Sequence, residues 1–324
     1  MQAGLTSTSW DRSRTPSPAE KSAALRRATR NRSSARPRRR RGPRAPRELR
    51  EAGVPARKAL GQHFLINTRI LRRIADAAEL SPDETVIEIG AGLGGLSAEL
   101  AARAGRVIAI ELDEALADYL RQRFAGTHVL IVQGDALALQ PAEVLARADA
   151  STPYVVVGNL PYNIAQPLLR HYLEAQQQPT RLVVMVQAEV AESIVARPGE
   201  MSLLSVSVQL YGEPRLLFRV PPSAFYPPPK VRSAVVRIDV APRLRAPVDD
   251  VEAFFRVVRA GFGTKRKQLR NALAHGLRID TATAAELLAA AGIDPTLRAQ
   301  SLPLEAWAAL ARAWIARGRP EGER

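Results

Sequence analysis

The chain has 324 residues, no cysteine and a net charge of +15, and 46% of its residues are hydrophobic. This size and composition indicate two globular domains, or one domain with appendages. The absence of cysteine excludes disulfides, zinc–thiolate sites and cysteine nucleophiles. No apolar run is long enough to span a membrane and no secretory signal is recognisable, so we expect a cytoplasmic protein with no membrane contact.

The positive charge is concentrated in residues 1–50, which contain 15 Lys/Arg and 3 Asp/Glu, whereas the remaining residues have a net charge of +3. The stretch RPRRRRGPRAPR (36–47) lacks apolar periodicity, which predicts a disordered basic extension over 1–50. The extension could bind RNA phosphates, be a solvated appendage, or follow from a wrongly chosen start codon. An Arg-rich, acid-poor leader is also typical of mitochondrial transit peptides, although the Ala/Arg bias runs through the whole chain.

Helices and strands alternate from residue 68 onward. The spacing of Ile70, Ile74 and Ala77 predicts a helix over 68–80, and further helices are predicted over 96–104 and 114–124. Apolar runs predict strands over 85–90, 106–113, 128–136, 154–161 and 181–187. Continuous Val/Ile strands between helices are typical of an α/β fold with a parallel sheet buried on both faces.

A change of pattern at LRAPVDD (244–250) predicts a domain boundary, because the sequence beyond it is helical and free of strands. We therefore expect an α/β domain over 51–245, a small helical domain over 246–315 and a disordered tail over 316–324.

The stretch EIGAGLGGLS (88–97) lies between a predicted strand and a predicted helix. Its glycines, Gly90, Gly92 and Gly95, fit the nucleotide-binding pattern G-x-G-x-x-G, in which the backbone approaches a ligand closely. Glu111 follows at the end of the next strand, where a carboxylate can bind ribose hydroxyls. This pattern alone fits a dinucleotide enzyme, a methyltransferase, or a tight turn that binds no ligand.

Two further acids favour a methyltransferase. Glu88 precedes the first glycine by two residues, as in the S-adenosylmethionine (SAM) loop of class I methyltransferases, where the acid helps to bind the methionine amino group. Asp135 and Ala136 end the third strand, and Asp135 is placed to accept a hydrogen bond from the exocyclic amine of the cofactor's adenine. Taken alone, Asp135 is better explained as a helix cap or turn residue.

The fourth strand ends in Asn159, Leu160, Pro161 and Tyr162, which is either a turn or the binding site of a flat polar substrate. Asn159 and a backbone carbonyl near Leu160 or Pro161 could accept both N6 hydrogens of an adenine, and Tyr162 could stack on the base. Positioning and electrostatics would then provide most of the catalysis.

A series of motifs in order resembles the ribosomal RNA adenine N6,N6-dimethyltransferase family, and its small-subunit branch most of all. The motifs are KALGQHFLIN (58–67), EIGAGLGGLS, AIELD (109–113), GDAL (134–137), GNLPYNIAQPLL (158–169), MVQAEVAESIVARPG (185–199), VPPSAFYPPPKVRSAVVR (220–237), FGTKRKQLRNAL (262–273) and GIDPTLRAQSLP (292–303). The resemblance covers about 57–313 and implies a class I SAM-dependent methyltransferase (Rossmann-like) fold followed by the helical domain.

The resemblance implies SAM-dependent dimethylation of N6 of two adjacent adenosines near the 3′ end of small-subunit (16S) ribosomal RNA, in small-subunit biogenesis. The partner would be that RNA in a pre-ribosomal particle, and the enzyme a monomer that uses no metal. The implied SAM contacts are His63, Leu65, Gly90, Glu111, Asp135 and Asn159. Position 63 is asparagine in the usual family pattern, which puts the detail of this contact in doubt.

The resemblance also implies that Phe225 stacks on the flipped adenine opposite Tyr162, whereas its sequence context alone favours a core residue. Four basic residues at the start of a predicted helix are expected to contact RNA phosphates rather than form only a solvated face: Lys265, Arg266, Lys267 and Arg270. The alternatives are a large-subunit adenine dimethyltransferase of the macrolide-resistance type, a non-catalytic ribosome-assembly or transcription factor on the same fold, and, third, a dehydrogenase.

Overall fold

The computed structural model describes residues 46–51, 53, 62–150, 153–264 and 266–318. Most of its strands belong to one sheet: β2 (Thr85–Ile89), β3 (Arg106–Glu111), β4 (Val129–Gln133), β5 (Tyr154–Asn159), β6 (Arg181–Gln187), β7 (Gly212–Val220) and β9 (Ser233–Val240). A separate antiparallel ladder joins β1 (Phe64–Leu65) to β8 (Phe225–Tyr226).

The order of the strands in the large sheet is β4-β3-β2-β5-β6-β9-β7. The five strands from β4 to β6 are parallel, which confirms the predicted α/β fold. The last two strands differ from the prediction of a parallel sheet, since β9 is antiparallel to both β6 and β7. Parallel pairing needs a crossover that is usually an α-helix, and only a 3-10 turn and β8 lie between β7 and β9.

The helices divide into those that precede or connect the strands and those that follow the last strand. The first group is α1 (Arg47–Glu51), α2 (Thr68–Ala77), α3 (Gly95–Ala101), α4 (Glu114–Arg123), α5 (Pro141–Ala146), α6 (Ala165–Leu173), α7 (Ala188–Ile194) and α8 (Leu203–Gln209). The second is α9 (Val251–Phe262), α10 (Leu269–Leu277), α11 (Thr281–Ala290) and α12 (Leu304–Ala316). Helix α2 ends before the predicted residue 80, because Glu79 adopts a left-handed conformation with φ 47°.

The central strands β2, β3, β5 and β6 are buried on both faces, as their continuous Val/Ile runs predict, whereas the edge strands β4 and β7 have exposed residues. Alternate residues of β2 point to opposite cores: Ile87 packs in the core with helices α5 and α6, whereas Val86 packs in the core with α2, α3 and α4. Burial of apolar area at roughly 25 cal/mol per Å² supplies most of the stabilisation of such a layered fold.

The helices that follow the sheet pack around Phe254, Trp307 and Trp314, which are almost completely buried. These residues belong to the same apolar core as the Ile87 face of the sheet. The division into separate domains at 51–245 and 246–315 stays a prediction.

Helix α1 lies at the end of the predicted disordered extension. Its Leu49 is 6% exposed and shares a small apolar cluster with Phe64, Leu93 and Leu116. For residues 47–50 the structure differs from the expectation of disorder, because Leu49 has apolar partners on the folded protein. Residues 1–45 lie outside the described residues, as do 319–324 of the predicted tail.

The parallel strands β2 to β5 all end at one edge of the sheet. The strand order reverses between β2 and β5, which are neighbours although two strands separate them along the chain. Open α/β sheets bind their ligands outside the carboxyl ends of strands at such a switch point. The candidate residues after β2, β3, β4 and β5 are therefore brought to the same edge.

Candidate nucleotide and adenine site

The glycine loop after β2 adopts a backbone that requires glycine. Gly90 and Gly92 of the predicted pattern, and Gly94 beside it, have φ values of 72°, 57° and 73°, which lie in the left-handed region that side chains other than glycine rarely adopt. Gly95, the third glycine of the pattern, instead begins α3 and does not have a positive φ. A Cβ atom added to Gly90 would have the Asn159 carbonyl oxygen, at 3.7 Å, as its nearest neighbour. The glycine loop at position 90 therefore lies within van der Waals distance of the end of β5.

Glu111 connects the end of β3 to this loop. Its Oε2 accepts a hydrogen bond from Gly92 N at 2.8 Å, and its Oε1 accepts one from Asp113 N at 2.9 Å. Burial raises the pKa of the Glu111 carboxyl, while the two backbone N–H groups oppose that rise. Each carboxylate oxygen keeps a further lone pair, so Glu111 can also accept from ligand hydroxyls beside the loop.

Glu88 is the most deeply buried acid of the site. Its side chain is on the face of β2 covered by α3, the residue is 1% exposed, and its Oε2 has no hydrogen-bond partner among the described residues. Burial raises its pKa to about 7, with a smaller opposite effect from the Ser97 hydroxyl. An unpaired buried carboxyl is costly unless a ligand satisfies it, and an amino group is a suitable partner.

Asp135 and Ala136 lie just beyond β4, which ends at Gln133 rather than at the predicted residue 136. The exposed Asp135 accepts a hydrogen bond from Leu137 N at 2.9 Å through Oδ1, which is the turn role expected from sequence context alone. Its Oδ2 makes no hydrogen bond with the described residues, so this oxygen is available to an amine. Ala136 is buried in the core.

The side chain of Asn159 has a defined orientation at the end of β5. Its Nδ2 donates to the His63 carbonyl oxygen at 3.1 Å, so Oδ1 is the acceptor that remains. The second predicted acceptor is the backbone carbonyl of Leu160 or of Pro161. The Pro161 carbonyl already accepts a hydrogen bond from Ile164 N at 3.1 Å. No described residue donates to the Leu160 carbonyl, and the acceptor pair is therefore Asn159 Oδ1 and Leu160 O.

Tyr162 is half-buried beside this acceptor pair. Its hydroxyl lies 2.7 Å from Ser233 Oγ on β9, and its ring lies near the His63 ring, with centroids 6.1 Å apart and planes inclined by 28°. Burial raises the pKa of the Tyr162 hydroxyl, so this group stays neutral at physiological pH. Sequence reasoning did not find Ser233, because a serine within an apolar strand gives no local signal of a site.

Phe225 and Leu65 face each other across the β1–β8 ladder. Phe225 is 3% exposed and belongs to the core on the Val86 face of the sheet. In this arrangement its ring packs against protein, so its role as the second wall of an adenine slot stays a prediction.

Basic side chains are exposed on the helices that follow the sheet. Arg266, Lys267 and Arg270 are exposed near the start of α10, as predicted, whereas Lys265 lies outside the described residues. At the other end of α10 a hollow of about 300 Å³ is lined by Glu252, Arg256, Arg259, Gly276, Leu277 and Arg278. Sequence reasoning missed this second basic group, because Arg256 and Arg259 are on α9 whereas Arg278 follows α10.

The described part of the chain shows neither a candidate metal site nor a candidate membrane-spanning helix. No group of three or more His, Asp or Glu there is placed to hold a metal ion. No helix in the same residues is long and apolar enough to cross a membrane.

Comparison with known proteins connects this geometry to a family. The family model described as ribosomal RNA adenine dimethylase matches residues 53–314. Ribosomal RNA small subunit methyltransferase A of Dehalococcoides mccartyi (strain CBDB1) is 50% identical over 257 residues, which cover 78% of this chain and 87% of the relative. The protein of the same name from Moorella thermoacetica is 45% identical over 272 residues, covering 82% of this chain and 94% of the relative.

Solved structures confirm the predicted methyltransferase fold. A crystal structure of the 23S rRNA methyltransferase ErmE has a TM-score of 0.62 and 27% identity, covering 77% of this chain and 98% of that one. A dimethyladenosine transferase from Plasmodium falciparum has a TM-score of 0.66 and 24% identity, covering 79% and 99% of the two chains, and it supports the fold alone. The sequence, the strand order and these matches together place the chain in the ribosomal RNA adenine dimethylase family.

Proposed function

We propose that this chain transfers two methyl groups from SAM to N6 of each of two adjacent adenosines near the 3′ end of small-subunit ribosomal RNA. One observation carries the proposal: the free acceptors Asn159 Oδ1 and Leu160 O lie at the strand end that is adjacent to the Gly90 loop. A nucleotide cofactor on the loop and an adenine on the acceptors would therefore be neighbours.

The residues around the glycine loop fit SAM. Glu111 can accept from the ribose hydroxyls, and Asp135 Oδ2 can accept from the adenine amine. The unpaired Oε2 of Glu88 suits the methionine ammonium group. When bound, SAM supplies an electrophilic methyl group on its sulfonium, and S-adenosylhomocysteine remains after transfer.

Adenine N6 is a weak nucleophile because its lone pair is delocalised into the ring, and the acceptor pair can compensate for this. Asn159 Oδ1 and Leu160 O can each accept one N6 hydrogen, which favours the pyramidal nitrogen that forms a bond to carbon. The nitrogen loses a proton only after it has gained positive charge, so no strong base is required at this position. Preorganised acceptors of this kind lower the barrier electrostatically.

The sequence identities to known relatives favour small-subunit ribosomal RNA over large-subunit ribosomal RNA as the substrate. The two small-subunit enzymes are 50% and 45% identical to this chain, whereas the 23S enzyme is 27% identical. The exposed basic residues near the start of α10 and the arginine-lined hollow support contact with RNA phosphates. We extend the proposal to a monomer that acts in the cytoplasm on a pre-ribosomal particle.

The experiment is methylation of small ribosomal subunits that lack the modification, with labelled SAM, followed by mapping of the methylated bases. Two dimethylated adjacent adenosines near the 3′ end of the RNA are the expected result. Label in large-subunit RNA alone would instead support the large-subunit alternative. SAM binding without transfer to either RNA would indicate a non-catalytic factor.

A further inference from the structure

The side chain of His63 joins two parts of the site that are far apart in the chain. Its Nδ1 lies 2.7 Å from the carbonyl oxygen of Pro227, which follows β8 directly. A carbonyl oxygen can only accept a hydrogen bond, so Nδ1 carries a proton and donates it. In the neutral imidazole, Nε2 is then the unprotonated nitrogen.

The His63 ring also limits the movement of Tyr162. The two rings are inclined by only 28°, with centroids 6.1 Å apart, within the range in which aromatic rings attract each other. Since the Tyr162 hydroxyl is held by Ser233, the tyrosine is restrained both at one ring face and at its tip. The plane on which a base could stack is therefore defined before the base arrives.

The backbone of His63 orients the second group of the site. Its carbonyl oxygen accepts from Asn159 Nδ2 at 3.1 Å. An asparagine amide can rotate by half a turn and exchange its donor and acceptor, and the His63 carbonyl favours the orientation in which Oδ1 faces the substrate.

We propose that His63 is a positioning residue for the target adenine, holding the Tyr162 ring and the Asn159 amide in one arrangement through its contacts with both and with Pro227. It acts through these neighbours and does not touch the reacting atoms. The inference rests on the proposed function, because it needs an adenine in the site. It differs from the resemblance, which places His63 among the SAM contacts.

Two substitutions separate the two side-chain contacts. His63→Asn keeps an N–H donor near the position of Nδ1 but removes the ring, whereas His63→Phe keeps a flat ring but removes the donor. His171→Asn is the matched control, since the His171 Nε2 lies 2.9 Å from the Leu139 carbonyl and its ring contacts Tyr172 edge-on at 5.3 Å. His171 is on α6, and neither of these two contacts involves a site residue named above.

The readouts are the single-turnover rate at saturating SAM and RNA, and the dissociation constant of SAM, measured with the full chain. Each His63 variant should lose about 3- to 10-fold in rate, as expected for one neutral hydrogen bond or one aromatic pair. SAM affinity should stay within about twofold of wild type, and His171→Asn should change neither quantity.

Two results would overturn the inference. A normal rate at saturating SAM combined with SAM affinity reduced tenfold or more would make His63 a cofactor contact. Normal rate and affinity in both variants would make its contacts irrelevant to the adenine. If one variant fails to fold, the other still distinguishes these outcomes.

The tautomer of His63 gives a test that needs neither SAM nor RNA. Long-range proton–nitrogen NMR spectra of the wild-type chain, which has four histidines, identify His63 by the signal that His63→Asn removes. The neutral ring should carry its proton on Nδ1, and a proton on Nε2 would contradict the contact with Pro227. If wild type methylates no adenosine, the proposed function fails, while this measurement still decides whether His63 is fixed as described.

Discussion

Replacement of Glu88 by glutamine should stabilise the free protein at neutral and alkaline pH. Burial raises the pKa of Glu88 from an ordinary value of 4.5 to about 7, and its Oε2 lacks a hydrogen-bond partner among the described residues. Glutamine keeps the shape of the side chain but has no charge to desolvate. The substitution therefore removes the cost of burying a carboxylate.

The sign and size of the effect follow from proton linkage. Between pH 4.5 and about 7 the folded protein retains a proton on Glu88 that the unfolded chain has released, so stability falls as pH rises through this range. One pKa unit corresponds to about 1.4 kcal/mol, and the full difference is about 3 kcal/mol. Glutamine does not titrate, so the advantage of the variant should grow by about 3 kcal/mol between pH 4.5 and 8.

Urea denaturation of wild type and Glu88→Gln at several pH values measures this difference directly. Glu143→Gln is the control, because Glu143 is exposed on α5 and its carboxyl is solvated in both states. A difference in the free energy of unfolding that stays constant from pH 4.5 to 8 would refute the reasoning.

Glu88 should also link SAM binding to proton release. At pH 6 the free protein holds Glu88 mostly protonated, and an ammonium group at its carboxylate would lower the pKa. Calorimetry in buffers of different ionisation enthalpy should detect release of up to one proton in wild type and a smaller release in Glu88→Gln. Equal release in both proteins would place the ammonium elsewhere.

Four further predictions concern other parts of the site. Glu111→Ala should weaken SAM binding by about 1.5–3 kcal/mol in calorimetry, the range for hydrogen bonds to charged groups, and unchanged affinity in a folded variant would contradict its ribose contact. Asn159→Ala should reduce the single-turnover rate far more than RNA affinity, because its acceptor acts mainly in the transition state; near-normal turnover would make it only a turn residue. Tyr162→Leu should preserve SAM binding and lower methylation sharply, whereas Phe225→Leu, at a fully packed position, should lower the free energy of unfolding in urea by about 1 kcal/mol; normal methylation by both variants would exclude the slot. Arg270→Ala should weaken RNA binding independently of sequence and make the salt dependence of the affinity shallower by about one phosphate contact; an unchanged slope would show that Arg270 does not reach the backbone.

The α/β class and the location of the cofactor loop could be predicted because their signals are local. A Val/Ile run such as the one in β5 specifies a strand buried on both faces, whatever its neighbours are. Glycines between a strand and a helix, such as Gly90 and Gly92, favour a backbone with positive φ, since other residues adopt it at a cost. Glu88, Glu111 and Asn159 follow as strand-end residues, because parallel strands end at the same edge of the sheet.

The strand direction at the sheet edge and the details of the adenine site could not be predicted, because both depend on contacts between residues that are far apart in the sequence. The antiparallel β7–β9 pair was missed, since strand direction depends on how the chain returns rather than on the residues of the strand. A phenylalanine such as Phe225 can belong either to the hydrophobic core or to the wall of an adenine slot, and only the packing around its ring distinguishes these two roles. The last residues of the basic extension were expected to be disordered, because the apolar partners of Leu49 come from distant segments.

The sequence by itself therefore determined the fold class, the glycine loop and the order of acids around it, because backbone conformation and burial periodicity are encoded over a few residues. Only the tertiary structure decided which side chains meet: His63 and Pro227 are 164 residues apart, His63 and Asn159 are 96 apart, and Tyr162 and Ser233 are 71 apart. Contacts at such separations depend on strand order, register and the path of the loops, and these are set when the whole sheet assembles. The orientation of the Asn159 amide, on which the proposed chemistry depends, belongs to this second class.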